Sequence, residues 1–428
     1  MLAVRAKRRT DSLHALLQKE IANVPIRLLE RLIARKLQDA GIAIPKDIAR
    51  KITAHILSGN SEPFAWNNGE PDRDISISVS RDDLGEIDRS FKRFLTEQLP
   101  KTIRSMAREI SATLCKSLKS DWVEQYAYQQ AVYEGFRYRL EERWGKPFNL
   151  LRLLLTLSRE LGEEVYRRNQ RSKARRNRNL REVMTRLHVR ACQVTAEVIS
   201  LIENGYADGA IARWRTLHEI GVVATLIADH GDDIAVRYLK HEAVEAKRAM
   251  DEYARCHIQL GYRSLSKREI RETMNAYSAA LAEFGKDFRA QYGWATHHLK
   301  KQDPTFADLE AAIGRAAMRS HYKMASWNVH ASAKGLFFKL GLLEQASGLL
   351  AGASNFGFAD PGQNTAHALV QITALLFDSR FGFADLVRLQ VLTDLRDDAV
   401  RAFERADRRL RRDEKRCQRL SSSKRPAR

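Results

Sequence analysis

Residues Asn204 to Asp229, NGYADGAIARWRTLHEIGVVATLIAD, carry the clearest indication of the fold. Gly205 ends one predicted helix, and Asp208 is placed to cap the next one. The apolar run from Ile220 to Ala228 is nine residues long, and a membrane span needs about 20. We therefore predict a buried helix here, at the centre of an all-α main domain.

The composition of the rest of the chain is also typical of a helical protein. The chain has 428 residues, 44% of them hydrophobic, which is enough for about two or three domains and an extensive core. Glycine (22) and proline (9) fall below average usage, which argues against a turn-rich β-sandwich, barrel or propeller. Ile75, Ile77 and Val79 alternate with polar residues as in a short strand, although no partner strand is nearby.

We expect an all-α fold, with a multi-helix bundle as the main domain, a helical N-terminal region and a basic C-terminal helix and tail. Changes in composition divide the chain into five predicted segments. These are a helical unit, a linker rich in Gly, Pro, Asn and Ser, a helical region that ends in a basic run, the main domain, and the basic helix and tail: 1–58, 59–81, 82–181, 182–395 and 396–428.

The sequence argues against several classes of protein. The four cysteines are far apart in sequence, so no zinc or redox pair is indicated, and a reduced, cytoplasmic protein is expected. The N-terminal stretch meets charged residues before any apolar run, so no secretion signal is predicted. The phosphate loop, the dinucleotide loop, the nucleophile elbow and the zincin motif are absent. We expect no cofactor and no metal.

The positive charge is concentrated in two segments of the chain. The formal net charge is +20. Residues 167–181 hold eight basic side chains and no acid, and residues 401–428 hold twelve basic and four acidic ones. Such localisation favours a polyanion partner, RNA or DNA, while an acidic membrane surface and a merely solvated face stay open. The nucleic-acid-binding candidates of the first segment are Arg167, Arg168, Arg171, Lys173, Arg175, Arg176 and Arg178.

The first group of candidate catalytic residues lies within residues 204–229. At about 100° per residue, Arg215, His218 and Glu219 gather on one side of the predicted helix. The structural alternative is an Arg215–Glu219 pair that ties helices together.

The second group lies in HYKMASWNVHAS, residues 321–332. Tyr322, Ser326 and His330 are spaced i, i+4 and i+8, which predicts a phenol, a hydroxyl and an imidazole in a row on one helical face. Histidine is the usual general acid or base near neutral pH, and a tyrosine can donate to a developing anion. Asn328 completes the candidate set. The alternative for His330 is a satisfied core histidine.

With these motifs, residues 191 to about 377 resemble the bacterial domain-of-unknown-function family 5677. In that family an arginine and a glutamate one helical turn apart, and a later Tyr…His-Ser element, are the recurring polar positions. The resemblance implies that they correspond here to Arg215, Glu219, Tyr322, His330 and Ser332.

Such domains are similar in style to the higher-eukaryote and prokaryote nucleotide-binding superfamily. Its members often act on RNA through an Arg-x4–6-His motif, commonly as dimers and without metal. The spacings Arg213-x4-His218 and Arg315-x5-His321 both fit, although an arginine-rich chain produces such matches by chance. The resemblance implies a metal-independent ribonuclease and a homodimer.

Three functional hypotheses follow from the sequence. The leading one is a helical protein that engages RNA or DNA and cleaves RNA as a defence or toxin-type effector. In it, His330 or His218 takes the 2′-hydroxyl proton while Arg215 stabilises the phosphorane-like charge. The alternatives are a non-catalytic adaptor with a buried polar network, and a ligand-sensing module in which Arg215 holds a carboxylate or phosphate.

Overall fold

The computed structural model describes residues 2–42, 46–66, 74–171, 176–343, 349–377 and 382–423. These residues form α-helices joined by turns and contain no β-strand, so the all-α prediction is confirmed. The helices are α1 (Leu2–Asp39), α2 (Lys46–Leu57), α3 (Arg81–Arg93), α4 (Leu99–Arg171), α5 (Arg178–Glu203), α6 (Ala207–His230), α7 (Asp232–Lys240), α8 (Glu242–Cys256), α9 (Lys267–Phe284), α10 (Thr296–Leu299), α11 (Phe306–Ala312), α12 (Arg319–Trp327), α13 (Ala333–Phe337), α14 (Ala359–Ala374) and α15 (Phe383–Ser423). A π-helical turn, Phe94–Gln98, joins α3 to α4.

The short strand suggested by Ile75, Ile77 and Val79 does not form. Residues 74–80 have no regular secondary structure. An alternating pattern makes a strand only where a neighbouring strand accepts its backbone hydrogen bonds, and the described part of the chain offers none. The segment ends where Ser80 caps α3.

The helices form two compact units, Met1–Ala131 and Val132–Arg428. The division falls inside α4, and therefore inside the segment 82–181 that the sequence treats as one region. The sequence-based boundaries stay predictions.

In the first unit, α1 packs against α2 and α3. Its apolar positions recur at helical spacing, and Leu32, Ile33 and Leu37 are buried. Arg35 binds Glu86 of α3 through two hydrogen bonds of 2.9 Å.

In the second unit, α5, α6, α14 and α15 pack around one core. The apolar run of α6 is buried as predicted, with Leu226 and Ile227 at 1% and 0% exposure. None of the helices described is both long and apolar enough to cross a bilayer.

A close approach between α14 and α15 completes this core. Trp144, Phe148, Phe358 and Phe403 form an aromatic cluster in which every side chain is almost fully buried. A Cβ on Gly362 would lie 2.3 Å from Cζ of Phe403. Only glycine therefore lets α14 lie this close to the ring.

Two aspartates near helix starts bind other elements. The prediction that Asp208 caps α6 is wrong, because α6 begins at Ala207 and Oδ1 of Asp208 accepts the backbone N–H of Leu340 at 2.9 Å. Asp232 starts α7, and its Oδ1 accepts the backbone N–H of Leu180 in the first turn of α5 at 2.8 Å. A carboxylate can satisfy the free N–H groups of a different helix when packing brings that helix close.

Candidate functional site

Three of the predicted catalytic residues form one hydrogen-bonded cluster, called here the Arg–Tyr–Glu cluster: Arg215, Glu219 and Tyr322. The Tyr322 hydroxyl donates to Oε1 of Glu219 at 2.7 Å and accepts from Nη2 of Arg215 at 2.6 Å. Nε of Arg215 lies 3.2 Å from the same Glu219 oxygen. The guanidinium also stacks on the phenol ring, 4.6 Å from its centroid.

The Arg–Tyr–Glu cluster joins α6 to α12, and its polar groups bind mainly one another. Burial, followed by the hydrogen bond to Glu219, raises the pKa of Tyr322 to about 12. The phenol is therefore neutral at physiological pH and acts as a hydrogen-bond donor and acceptor. This arrangement matches the structural alternative, in which an Arg215–Glu219 pair ties helices together.

His218, the fourth candidate on α6 or α12, binds a carboxylate that the sequence analysis missed. Its Nε2 donates to Oε1 of Glu310 at 2.9 Å, and Nη1 of Arg319 donates to the other carboxylate oxygen at 2.9 Å. The Glu310 side chain is 1% exposed. Burial lowers the pKa of His218, against the opposing effect of Glu310.

A local signal for Glu310 was present in the sequence. It follows Leu309 on α11, whose Phe306 and Leu309 are both buried. An acid on the apolar side of a short helix needs a buried partner, although the sequence does not say which one.

A cavity of about 300 Å³ lies between α6, α12 and α14 and the turn that precedes α12. Its lining includes Trp214, His218, Arg315, His321, Asn364 and His367, and no carboxylate of the described residues is part of it. Arg315 and His367 are exposed at its mouth, whereas Trp214 is 1% exposed. We call this space the histidine cavity.

Several polar atoms that line the histidine cavity are unpaired in the described part of the chain. Nε1 of Trp214, Nδ1 of His321 and Nδ2 of Asn364 are all buried and find no hydrogen-bond partner among the described residues. Leaving such atoms unpaired costs about 1 to 3 kcal/mol each. Partial burial, followed by the charge of Arg396, lowers the pKa of His367.

The residues of the two Arg-x-His spacings noted in the sequence lie in different places in the structure. Arg315 and His321 line the histidine cavity together. Arg213 instead donates to Glu197 of α5, and is also 3.3 Å from the hydroxyl of Thr216. Only the second spacing brings its two residues to one cavity.

The predicted row of Tyr322, Ser326 and His330 on one helical face is wrong, because α12 ends at Trp327. The chain turns over residues 328–331, and Ser332 caps α13 by accepting the backbone N–H of Gly335 at 3.3 Å. His330 is exposed.

The remaining polar residues of this motif have local roles. The Ser326 hydroxyl donates to the backbone oxygen of Tyr322 at 2.8 Å. Nδ2 of Asn328 is buried without a hydrogen-bond partner. Among the described side chains, none of the polar contacts of the Arg–Tyr–Glu cluster reaches Asn328 or His330.

The basic residues of 167–181 are partly neutralised. Arg168 bonds to Asp385 and Glu164, and Arg167 bonds to Glu163. The candidates whose side chains are exposed are Arg167, Arg171, Arg176 and Arg178. Lys173 and Arg175 lie outside the described residues.

The second half of α4 runs antiparallel to α15, with Arg168 bound to Asp385 at one end and Arg143 bound to Asp413 at the other. The two aspartates are separated by 28 positions of α15, which is about 42 Å along a helix. Arg167 and Arg168 of the first basic segment therefore lie at the opposite end of this helix pair from the residues around Asp413 in the second.

Comparison with known proteins gives one match. Residues 181–346 match the profile of a family described as "Family of unknown function (DUF5677)". No curated protein and no solved structure matches the chain. The described residues contain no group of His, Cys, Asp and Glu side chains placed to hold a metal ion.

The matched segment spans α5 to α13, so it includes the Arg–Tyr–Glu cluster, Glu310 and one side of the histidine cavity. Asn364 and His367, on α14, lie beyond it. The resemblance predicted from the two motifs is confirmed as a match to the DUF5677 profile over residues 181–346, which begins earlier and ends earlier than the predicted range.

Proposed function

We propose that the protein binds RNA and cleaves it without a metal at the histidine cavity. One observation carries the proposal: Arg315, His321 and His367 line the same cavity, whose described lining has no carboxylate. An arginine and two imidazoles provide charge stabilisation and both proton transfers for cleavage of a ribose phosphodiester.

In the proposed reaction, His367 takes the proton of a 2′-hydroxyl. The 2′-oxygen attacks the adjacent phosphorus, the bond from phosphorus to the 5′-oxygen breaks, and His321 supplies a proton to that leaving oxygen. The products are a 2′,3′-cyclic phosphate and a 5′-hydroxyl. The lowered pKa of His367 favours the neutral imidazole, the form that a base requires, and Arg315 stabilises the phosphorane charge.

This assignment differs from the sequence prediction in its residues. Arg215 is bound within the Arg–Tyr–Glu cluster, and His218 donates to buried Glu310. His330 is exposed and lies off the helical face on which it was predicted. We therefore assign proton transfer to His321 and His367, and His330 provides the matched histidine control.

The test is cleavage of labelled RNA by protein purified in chelator, on denaturing gels. We expect His321→Ala and His367→Ala each to lower the cleavage rate by about 100-fold or more, and His330→Ala to leave it unchanged. Loss of cleavage in His330→Ala alone would show that His330, as predicted from the sequence, belongs to the catalytic site. Equal cleavage by all four proteins would refute both assignments.

The effector hypothesis has its own measurement. Expression of the wild-type protein in a bacterial host should slow growth, and expression of His321→Ala to the same level should not. Equal growth inhibition by both proteins would separate toxicity from cleavage.

The adaptor hypothesis is supported by a different observation, the closure of the Arg–Tyr–Glu cluster on itself. If the wild-type protein binds RNA in a salt-dependent manner but does not cleave it, the adaptor is the better account. The histidine cavity would then have no role in cleavage.

A further inference from the structure

A second, larger groove lies where the start of the second unit's α4 segment meets α15. Its volume is about 630 Å³, and Phe136, Arg139, Arg143, Asn355 and Arg409 line it. We call it the arginine groove. It shares no lining residue with the histidine cavity.

The amide of Asn355 has a fixed orientation in this groove. Trp144 is fully buried, and its Nε1–H donates to Oδ1 of Asn355 at 2.9 Å. The same Nε1–H lies 3.2 Å from the backbone oxygen of Asn355, and because Nε1 of an indole can only donate, the amide oxygen is the side-chain atom that faces Trp144. The NH2 group then remains as a donor on a residue that lines the groove.

The arginines of the groove carry more positive charge than their neighbours neutralise. Arg143 binds Asp413 at 2.7 Å. Arg139 and Arg409 make no hydrogen bond or ion pair with any described side chain, although the charge of Arg409 also acts on Asp413. Glu142 is the one carboxylate in the described lining. The groove therefore holds three guanidinium groups and an amide, against the carboxylates of Asp413 and Glu142.

We propose that the arginine groove binds the phosphate backbone of a nucleic-acid strand. Guanidinium groups bind phosphate oxygens through paired N–H donors, and the ring of Phe136 offers an apolar surface for a sugar or base. Arg409 of the groove belongs to the C-terminal basic segment, and Arg143 binds Asp413 at the end of the α4–α15 pair opposite to the Arg168–Asp385 contact. This goes beyond the proposed cleavage, since binding here does not need the histidine cavity.

The first test measures binding of a labelled single-stranded 2′-deoxy oligonucleotide, which has no 2′-hydroxyl and cannot follow the proposed cleavage reaction. Anisotropy titrations over a salt series compare the wild type with the double variant Arg139→Gln/Arg409→Gln. The matched control is Arg401→Gln/Arg408→Gln. It removes two exposed arginines of α15, the helix that carries Arg409, and these arginines pair with Asp398 and Glu404.

We expect the groove variant to reduce the slope of log affinity against log salt by about 1.4, because each lost phosphate contact of a single strand contributes about 0.7. The control variant should keep the wild-type slope. An equal change in both variants would overturn the proposal, because net charge alone would then account for binding. An unchanged slope in the groove variant would also overturn it.

Two single substitutions test the groove with opposite expected signs. Asn355→Asp keeps an oxygen for Trp144 but replaces the amide donor with a negative charge, so we expect oligonucleotide affinity to fall at least about tenfold. Glu142→Gln removes one opposing carboxylate and should tighten binding. Thermal unfolding of each variant verifies that the fold is retained.

A competition with inorganic phosphate separates a polymer site from a single-anion site. We expect millimolar phosphate to displace the oligonucleotide no better than sulfate does at equal ionic strength. Displacement by phosphate alone, lost in Asn355→Asp, would assign the groove to a free phosphate ion and overturn the nucleic-acid proposal.

Discussion

Nε2 of His218 lies 2.9 Å from Oε1 of Glu310, and both side chains are removed from water. Because the pKa of His218 is lowered by burial, this contact is a hydrogen bond from a neutral imidazole to a carboxylate. The positive charge opposite Glu310 comes from Arg319 on α12. The pair therefore links α6 to α11, and the carboxylate extends the network to α12.

We expect Glu310→Ala to lower the free energy of unfolding by about 3 to 5 kcal/mol, because it leaves His218 and Arg319 without their buried partner. Urea denaturation measures the change. Glu252→Ala, which removes an exposed glutamate paired with Arg255, should change stability by no more than about 0.5 kcal/mol. Similar values for the two variants would contradict a structural role for Glu310.

Tyr322→Phe tests the Arg–Tyr–Glu cluster with the smallest change of shape. It removes the hydroxyl that donates to Glu219 and accepts from Arg215. We expect a loss of about 1 to 3 kcal/mol in stability, because both charged partners then lose a partly buried hydrogen bond. Tyr138→Phe, at a tyrosine that is 67% exposed, is the control and should be neutral.

His188 makes stability depend on pH between about 4 and 6.5. Burial lowers its pKa to about 4 from the ordinary 6.5, so the unfolded chain binds this proton more readily than the folded protein. Stability therefore falls as the pH drops from 6.5 towards 4, by about 3 kcal/mol for this residue. In His188→Gln, unfolding measured at pH 7 and pH 4.5 should differ by less than in the wild type. An identical difference in both proteins would show that His188 is not the responsible group.

Gly362→Ala should destabilise the second unit, although Gly→Ala in a helix normally stabilises it by up to about 1 kcal/mol. The new Cβ would lie 2.3 Å from Cζ of Phe403, so we expect a net loss of about 1 to 3 kcal/mol. Gly352→Ala is the matched control, since nothing lies within 4 Å of its Cβ position. Calorimetric melting of both variants checks the contrast.

His330→Ala should leave the melting temperature unchanged, because this side chain is exposed and makes no polar contact with the described residues. Surface substitutions of this kind change stability by no more than about 0.5 kcal/mol. A loss of 1 kcal/mol or more in the free energy of unfolding would show that His330 belongs to a buried polar network, as the adaptor hypothesis predicts.

The helices and the Arg215–Glu219 pair were predictable because they depend on local spacing. The apolar run of α6 was enough to place a buried helix, which ends at Gly231, and residues four apart on a helix are neighbours. The helix caps were less predictable. Asp208 and Asp232 bind the backbone of other segments, and their own sequence neighbours do not reveal this.

The histidine cavity and the positions of the basic residues on the α4–α15 pair could not be predicted in the same way. Arg315 and His321 matched a spacing that is common by chance, and only their shared cavity with His367 distinguishes them. The row ending at His330 failed because residues beyond Trp327 form a turn, which the regular spacing of the motif concealed.

From the amino-acid sequence alone we could predict the all-helical class, the buried helix at residues 220–228, the resemblance to DUF5677 and the two basic runs. Helical period and charge are properties of neighbouring residues, so they can be read without knowing the fold. Only the folded structure shows that Tyr322 binds Arg215, 107 positions away in the sequence, and that Glu310 binds His218, 92 positions away. It also shows that Arg168 and Asp413 lie at opposite ends of one helix pair. Such contacts depend on how the helices pack, and packing is set jointly by side chains that are far apart along the chain.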